Sequence, residues 1–272
     1  FTSKIAYITK NNNQYQVIVA DYDGYNKRAI VTSAAPLSSL SWSQDDTQIA
    51  YTSFESGKPV VYIQNIYQKN RFIVANFKGS NSAPSFLIKD SSKIAVTLSK
   101  DVGSHIYLLN TNTFTETTQA SLLIKYGLID TEASFNKNDD IVFTSNHDGG
   151  PQIFMTNLHD TSNVQRLTIN LGNYNTSAKF SHSGTKITFI NRDIGILKAY
   201  VMDLTSIPYL TYPVNMSTVL DMAPSFAPND KLILFSSNNG LYIVNTLGTI
   251  KTELKNIKSS QQIIDQCWSN TI

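Results

Sequence analysis

Lys179-Phe180-Ser181-His182-Ser183-Gly184-Thr185-Lys186-Ile187-Thr188-Phe189 reads as a short apolar strand, a polar turn and a second strand closing on an aromatic. The same phrase returns at Ser41-Trp42-Ser43-Gln44-Asp45-Asp46-Thr47-Gln48-Ile49-Ala50-Tyr51 and at Ser225-Phe226-Ala227-Pro228-Asn229-Asp230-Lys231-Leu232-Ile233-Leu234-Phe235. β-Branched and aromatic residues suit the strands, and Ser, Pro, Asn, Asp and Gly supply the turn dihedrals. Outward from this phrase, Trp42, Phe86, Phe135, Phe180, Phe226 and Trp268 recur at a period of roughly 45 residues. A second ladder, Tyr62, Tyr107, Phe154, Tyr200 and Tyr242, follows at a similar period. It falls on a third strand of each unit, as in Val60-Val61-Tyr62-Ile63, and a weaker fourth strand follows, as in Arg71-Phe72-Ile73-Val74.

Four strands per repeat of this length is the signature of a propeller blade. No window carries an apolar stripe at helical spacing, and turn residues interrupt the chain too often for long helices. Three strands (Ile5–Ile8, Tyr15–Val19 and Arg28–Val31) precede the first inner strand at Trp42, and a lone inner strand, Ile264–Trp268, ends the chain. The expected fold is therefore all-β: a six-bladed β-propeller of four-stranded antiparallel blades, one domain over residues 1–272. The N-terminal strands pair with the C-terminal strand to close the ring, which removes two free sheet edges.

Composition excludes several classes. Lys and Arg number 22 against 20 Asp and Glu, a net charge of +2, so there is no basic stripe for nucleic acid. Cys267 is the single cysteine and cannot form an intramolecular disulfide; it reads as a small apolar residue of the closing strand. No apolar run is long enough to cross a membrane as a helix. The abrupt start at Phe1 reads as a processed or trimmed chain.

Catalytic and metal signatures are missing. The histidines, His105, His147, His159 and His182, have no metal-ligand spacing, and His159 and His182 read as solvated turn residues. No nucleophile elbow, Walker loop or dinucleotide fingerprint occurs. Asp21-Tyr22-Asp23-Gly24-Tyr25-Asn26 has too few acidic residues for a calcium loop and reads as a tight hairpin. Asp-boxes of the sialidase type are not met.

Strand parity locates a binding face. With strands A to D running outward from the channel, the A–B turns lie on one face, and the B–C turns and D–A connections lie on the other. The A–B turns are short and uniform, whereas the B–C and D–A segments vary, which marks their face as the binding surface. The B–C tips include Phe54–Lys58, Lys100–Gly103, Asn146-His147-Asp148-Gly149 and Arg192–Gly195; the D–A segments include Leu37–Ser39, Asn81-Ser82-Ala83-Pro84, Asp130–Ala133, Asn175–Ser177 and Asp221-Met222-Ala223-Pro224. The candidate partner-binding residues drawn from these are Asn81, Ser82, Ala83, Thr131, Glu132, Asn146, His147, Asn175, Asp221 and Met222. No catalytic residue, resident cofactor or metal site is expected, although Asp221 is placed where a weakly held cation could sit at the channel mouth.

Asp21-Tyr22-Asp23-Gly24-Tyr25-Asn26, followed by Trp42-Ser43 and by Ala50-Tyr51-Thr52-Ser53-Phe54-Glu55-Ser56-Gly57, resembles the TolB family of the bacterial Tol–Pal system. The resemblance runs through all six blades, including Phe143-Thr144-Ser145 with Gly150-Pro151-Gln152, and Leu220-Asp221 with Ala227-Pro228-Asn229. It implies a non-enzymatic periplasmic module that binds the peptidoglycan-associated lipoprotein Pal and supports outer-membrane integrity and cell division. The family's Pal-binding segments match Asn81, Ala83, Thr131 and Glu132; where the family often has His before that Asn, this chain has Ser80. Nothing in the chain matches the family's smaller N-terminal α/β domain, so contact with TolA is not expected. Two blade turns, Gln44-Asp45-Asp46 and Asn138-Asp139-Asp140, replace Pro-Asp-Gly. The alternative is a propeller separated from a prolyl-oligopeptidase-type hydrolase, which requires a nucleophile-bearing domain that this sequence does not supply. A sugar-hydrolysing propeller would need the missing Asp-boxes and a carboxylate cluster.

Overall fold

The computed structural model describes residues 2–100, 102–193, 195–214, 219–257 and 261–271. Asp101 and Ile194, at two of the expected B–C tips, lie outside them. The described residues form six four-stranded antiparallel sheets. The inner strands are Leu37–Trp42, Asn81–Phe86, Asp130–Phe135, Asn175–Phe180, Asp221–Phe226 and Gln262–Trp268, and they define blades one to six. Blade six combines Gln262–Trp268 with Lys4–Asn11, Gln14–Asp21 and Arg28–Ser33. Its inner strand pairs with the first strand of the chain, Ile5 opposite Trp268 and Lys10 opposite Gln262, so the ring closes as the strand count requires.

Each ladder aromatic packs against the preceding blade. Trp42 joins Ala6, Ile8 and Val17 of blade six; Phe86 joins Ala50, Val61 and Ile63 of blade one; Trp268 joins Ala227 and Leu234 of blade five. Phe135, Phe180 and Phe226 occupy the equivalent places. The core is thus six wedges between sheets, and each of these side chains contributes roughly 1.5–3 kcal/mol by its burial. In three blades the second-ladder aromatic stacks across the middle hairpin of its own blade. Tyr51 and Tyr62 face each other with ring centroids 5.7 Å apart, Phe143 and Phe154 at 5.9 Å, and Phe235 and Tyr242 at 5.8 Å. These pairs are directly opposite in register, the arrangement in which cross-strand aromatics stabilise a sheet.

Five inner strands share one irregularity. The register slips between Ser38 and Ser41, Ser82 and Ser85, Thr131 and Ser134, Thr176 and Lys179, and Met222 and Ser225. Each slip contains a non-glycine residue in the left-handed region: Ser39 (φ 60°), Ala83 (48°), Glu132 (59°), Ser177 (59°) and Ala223 (47°). A β-bulge at this position re-aims the backbone toward the channel, and it sits three residues before each ladder aromatic.

Candidate functional site

The bulge position forms a girdle around the channel, where a cavity of about 200 Å³ opens. Counting back three residues from each aromatic gives Ser39, Ala83, Glu132, Ser177, Ala223 and Asp265, all on its wall. Two of the six are carboxylates, and both bind the next blade. Glu132 accepts the Ser177 N–H, the Ser177 hydroxyl and the Thr144 hydroxyl, each at 2.9 Å. Asp265 accepts the Leu40 N–H at 2.8 Å and the Gln266 N–H at 2.9 Å. Burial pushes the Asp265 carboxyl above the usual carboxylate range; the Leu40 N–H and the Lys179 charge pull the other way, and the charge of Glu132 adds to the rise. Asp265 is half-buried on the channel wall.

The face that carries the B–C turns and D–A connections is interlocked by backbone bonds between the two kinds of segment. Phe54 N–H donates to Pro36 O, Ser99 N–H to Ser80 O, Asn146 N–H to Ile129 O and Arg192 N–H to Tyr174 O. The variable segments therefore form one continuous rim, the connection face, at the starting ends of the inner strands.

The ten candidate residues divide into three groups. Ser82, Ala83, Thr131 and Glu132 are half-buried and Met222 is exposed, and all five stand on inner strands at this mouth. Thr131 Oγ1 lies 3.0 Å from Thr97 Oγ1. Asn146 and His147 lie further out on the same face. Asn146 Oδ1 accepts the Ile129 N–H at 2.8 Å, and the His147 ring stacks on Tyr126 at 4.0 Å with Nδ1 donating to Tyr126 O at 2.9 Å.

Asn81, Asn175 and Asp221 are corrections to the expected surface, for all three are fully buried. Asn81 Oδ1 accepts the Phe77 N–H at 2.8 Å while Nδ2 donates to Phe77 O and Gly79 O. Asn175 Nδ2 donates to Gln152 Oε1 at 2.8 Å and Oδ1 accepts Asn191 Nδ2 at 2.8 Å. Asp221 Oδ2 accepts the Ala199 N–H at 3.2 Å, so its buried carboxylate binds the backbone of a neighbouring strand. Among the described residues no three His, Cys, Asp or Glu side chains gather as a metal site. The common cause is the first position of the inner strand, where a short polar side chain satisfies the backbone of the incoming connection. Asp130 holds the same place in blade three and is equally buried.

His182 also departs from the expected solvated turn. It is half-buried, its N–H donates to Asp230 Oδ1 at 2.6 Å, and its ring Nδ1 lies 3.6 Å from the same oxygen. His159 is exposed as expected, with Nε2 3.1 Å from Asp139. Asp265 escaped the sequence reading, although its place three residues before Trp268 matches that of Glu132 before Phe135 and could have revealed it.

A family model described as the TolB beta propeller domain matches residues 1–272. Tol-Pal system protein TolB of Bordetella pertussis is 38% identical over 159 residues, covering 58% of this chain and 35% of that protein. The Nitrosomonas europaea protein of the same name is 51% identical over 83 residues, 30% of this chain and 20% of that protein. The chain thus spans about a third of the length of the curated relative it matches over 159 residues. Among solved structures, TolB from Acinetobacter baumannii superposes with a TM-score of 0.86 at 29% identity, covering 98% of this chain and 66% of that one. An acylaminoacyl peptidase matches at 10% identity with a TM-score of 0.58, covering 92% of this chain and 50% of that one; the likeness is one of fold.

Proposed function

Because the chain belongs to the TolB β-propeller domain family, we propose that it is a non-enzymatic, periplasmic protein-binding module of the Tol–Pal system that holds the lipoprotein Pal on its connection face. Through that contact it supports outer-membrane integrity and cell division. The observation that carries this reading is the gathering of Ser82, Ala83, Thr131 and Met222 at one channel mouth, on strands that the family model matches. A rigid rim with half-exposed small and apolar side chains suits recognition without large rearrangement. Binding is favoured over catalysis because both girdle carboxylates, Glu132 and Asp265, already accept backbone N–H groups. They act as ties between blades and are poorly placed to serve as an acid–base pair. The reading requires no cofactor, and its partner surface lies within the propeller itself.

Glu132 is a poor probe of the partner surface, because changing it also unties blades three and four. Thr131→Arg and Met222→Asp alter the mouth with less effect on the ring. Each is expected to weaken binding to purified Pal at least tenfold by calorimetry, about 1.4 kcal/mol or more, with an unchanged thermal midpoint. Full affinity in both variants, or no binding by the unmodified chain, would overturn the assignment.

A further inference from the structure

His105 opens the strand His105–Asn110 in blade two, on the connection face, and is 2% exposed. Its ring lies between two oxygens. Nδ1 is 3.0 Å from Asp130 Oδ2, and Nε2 is 3.1 Å from Val102 O. Asp130 is fully buried and also accepts the Tyr126 N–H at 2.8 Å, the Gly127 N–H at 2.9 Å and the Ser145 hydroxyl at 2.6 Å. A carboxyl that takes three other donors presents the ring with an acceptor as well. A backbone carbonyl can only accept. Both ring nitrogens therefore face acceptors, and only a doubly protonated imidazolium satisfies both.

The bonds around this ring fix one part of the rim. Ser104 N–H donates to Leu128 O at 3.0 Å, and Asp130 N–H donates to Ser104 O at 2.8 Å. Asn146 and His147 hold Ile129 and Tyr126 from the blade-three side. The approach is so close that a Cβ on Gly103 would stand 2.2 Å from Leu128 O. The outward side chains of this clamped unit are apolar: Val102 is 81% exposed, Leu128 58% and Ile129 47%.

We propose that His105 is a proton-operated clamp, which when doubly protonated locks Val102–Ser104 onto Tyr126–Asp130 and on losing one proton releases the Val102 side. The released side follows from the chemistry. The carboxylate holds a ring proton more strongly than a neutral carbonyl does, so Nδ1 keeps its hydrogen and Nε2 loses its own. A lone pair then faces Val102 O, and two acceptors left opposite each other drive that contact apart. The sign is fixed accordingly: a second ring proton closes the clamp, so it is closed on the acid side and opens as pH rises.

Among the described residues, Asp130 is the charged group in hydrogen-bond contact with the ring. Lys125, next to the clamped segment, is exposed to solvent; other neighbouring charges are engaged elsewhere. The Lys100 ammonium lies over the Phe77 and Tyr107 rings, at 5.7 and 5.2 Å from their centroids. Glu132 on the same inner strand as Asp130 faces Ser177 and Thr144. Lys93, at the far end of the adjacent strand, pairs with Asp90 at 3.3 Å. Asp140, at the far end of Asp140–Ser145, binds Asn136 and Asn157. His147 is held on Tyr126.

The clamp stands on this geometry alone and does not depend on which partner the face holds. Imidazole nitrogen NMR of histidine-labelled protein between about pH 5 and 9 reads the ring, and amide exchange reads the loop. Both His105 nitrogens are expected to be protonated at the acid end, with Nε2 deprotonating as pH rises. Over the same interval the Ser104 amide should lose at least tenfold protection beyond the ordinary base-catalysed rise. In His105→Gln, whose amide donates regardless of pH, that extra loss should vanish. A ring that is neutral throughout, a ring that stays charged throughout, or an extra loss that persists in His105→Gln each overturns the proposal. If His105→Gln fails to fold, the titration of the unmodified ring decides by itself.

Discussion

At the scale of the residue, Asp230 illustrates how a turn position becomes a tie. Its backbone is left-handed, φ 57°, a conformation that Asp and Asn tolerate better than other non-glycine residues. That conformation points the carboxylate at blade four, where it accepts the His182 N–H at 2.6 Å and the Ser183 N–H at 2.7 Å. Partial burial alone would raise its pKa, but the bonds from His182 and Ser183 outweigh it and hold the group at about 2. A carboxylate depressed in the folded state stabilises above its unfolded value, near 3.9, and that contribution fades as pH falls through the folded value. Asp230→Asn keeps the backbone and loses the charge. It is expected to cost about 2 kcal/mol at pH 7, with the gap to the unmodified protein closing between about pH 4 and pH 2 in urea unfolding. A pH-independent gap would mean that the charge is not what ties the two turns.

At the scale of the element, the inner strand is the part with a consistent anomaly. Four of them begin with a buried Asn or Asp, and five carry a left-handed bulge two residues later. Both features serve one geometry: the first residue anchors the incoming connection, and the bulge turns the next peptide toward the channel. Ala83 holds a φ of 48° with a side chain that gains nothing from it, at a cost of roughly 1–2 kcal/mol. Ala83→Gly should therefore leave stability equal or slightly higher, since relief of that strain offsets the greater freedom of the unfolded chain. Ala83→Val, β-branched at the same dihedral, should lose more than about 1 kcal/mol in denaturant unfolding. Equal stability of the two variants would show that the bulge flattens easily.

At the scale of the whole molecule, besides the Glu132 and Asp265 ties, two further kinds of tie alternate around the six interfaces. The Ser41, Ser134 and Ser225 hydroxyls accept the N–H of Phe86, Phe180 and Trp268, joining blades one to two, three to four and five to six. The remaining interfaces use a left-handed Asp of an A–B turn. Asp46 accepts the Asn270 and Thr271 N–H groups at 2.7 and 2.8 Å, Asp139 pairs with Lys89 at 2.7 Å, and Asp230 binds blade four. The Asp46 tie fastens the C-terminal residues onto blade one, so it bears directly on closure. Asp46→Gly retains the positive φ while deleting the carboxylate. It should cost about 1.5–3 kcal/mol in thermal unfolding, against less than about 1 kcal/mol for Asp139→Gly, whose partner is an exposed lysine. The reverse order would place ring closure elsewhere than at this latch.

The periodic aromatics, the turn chemistry between them and the position of the odd strand at the chain end were enough to specify six blades, their order and their closure. Each of those signals is local, or repeats at a fixed interval, so it survives in a one-dimensional reading. The connection face followed from strand parity for the same reason. Burial did not follow. Asn81 and Ser82 are chain neighbours, yet one is sealed inside and the other lines the mouth. Their polarity says nothing of this, because the choice is made by Phe77 and Pro59 backbone atoms brought in by folding. Likewise the ties from Asp265 to Leu40 and from Asp46 to Thr271 join residues more than 200 positions apart. Only the closed ring puts such pairs within hydrogen-bond distance, and so only the tertiary structure could separate the residues that hold the blades together from those left free to meet a partner.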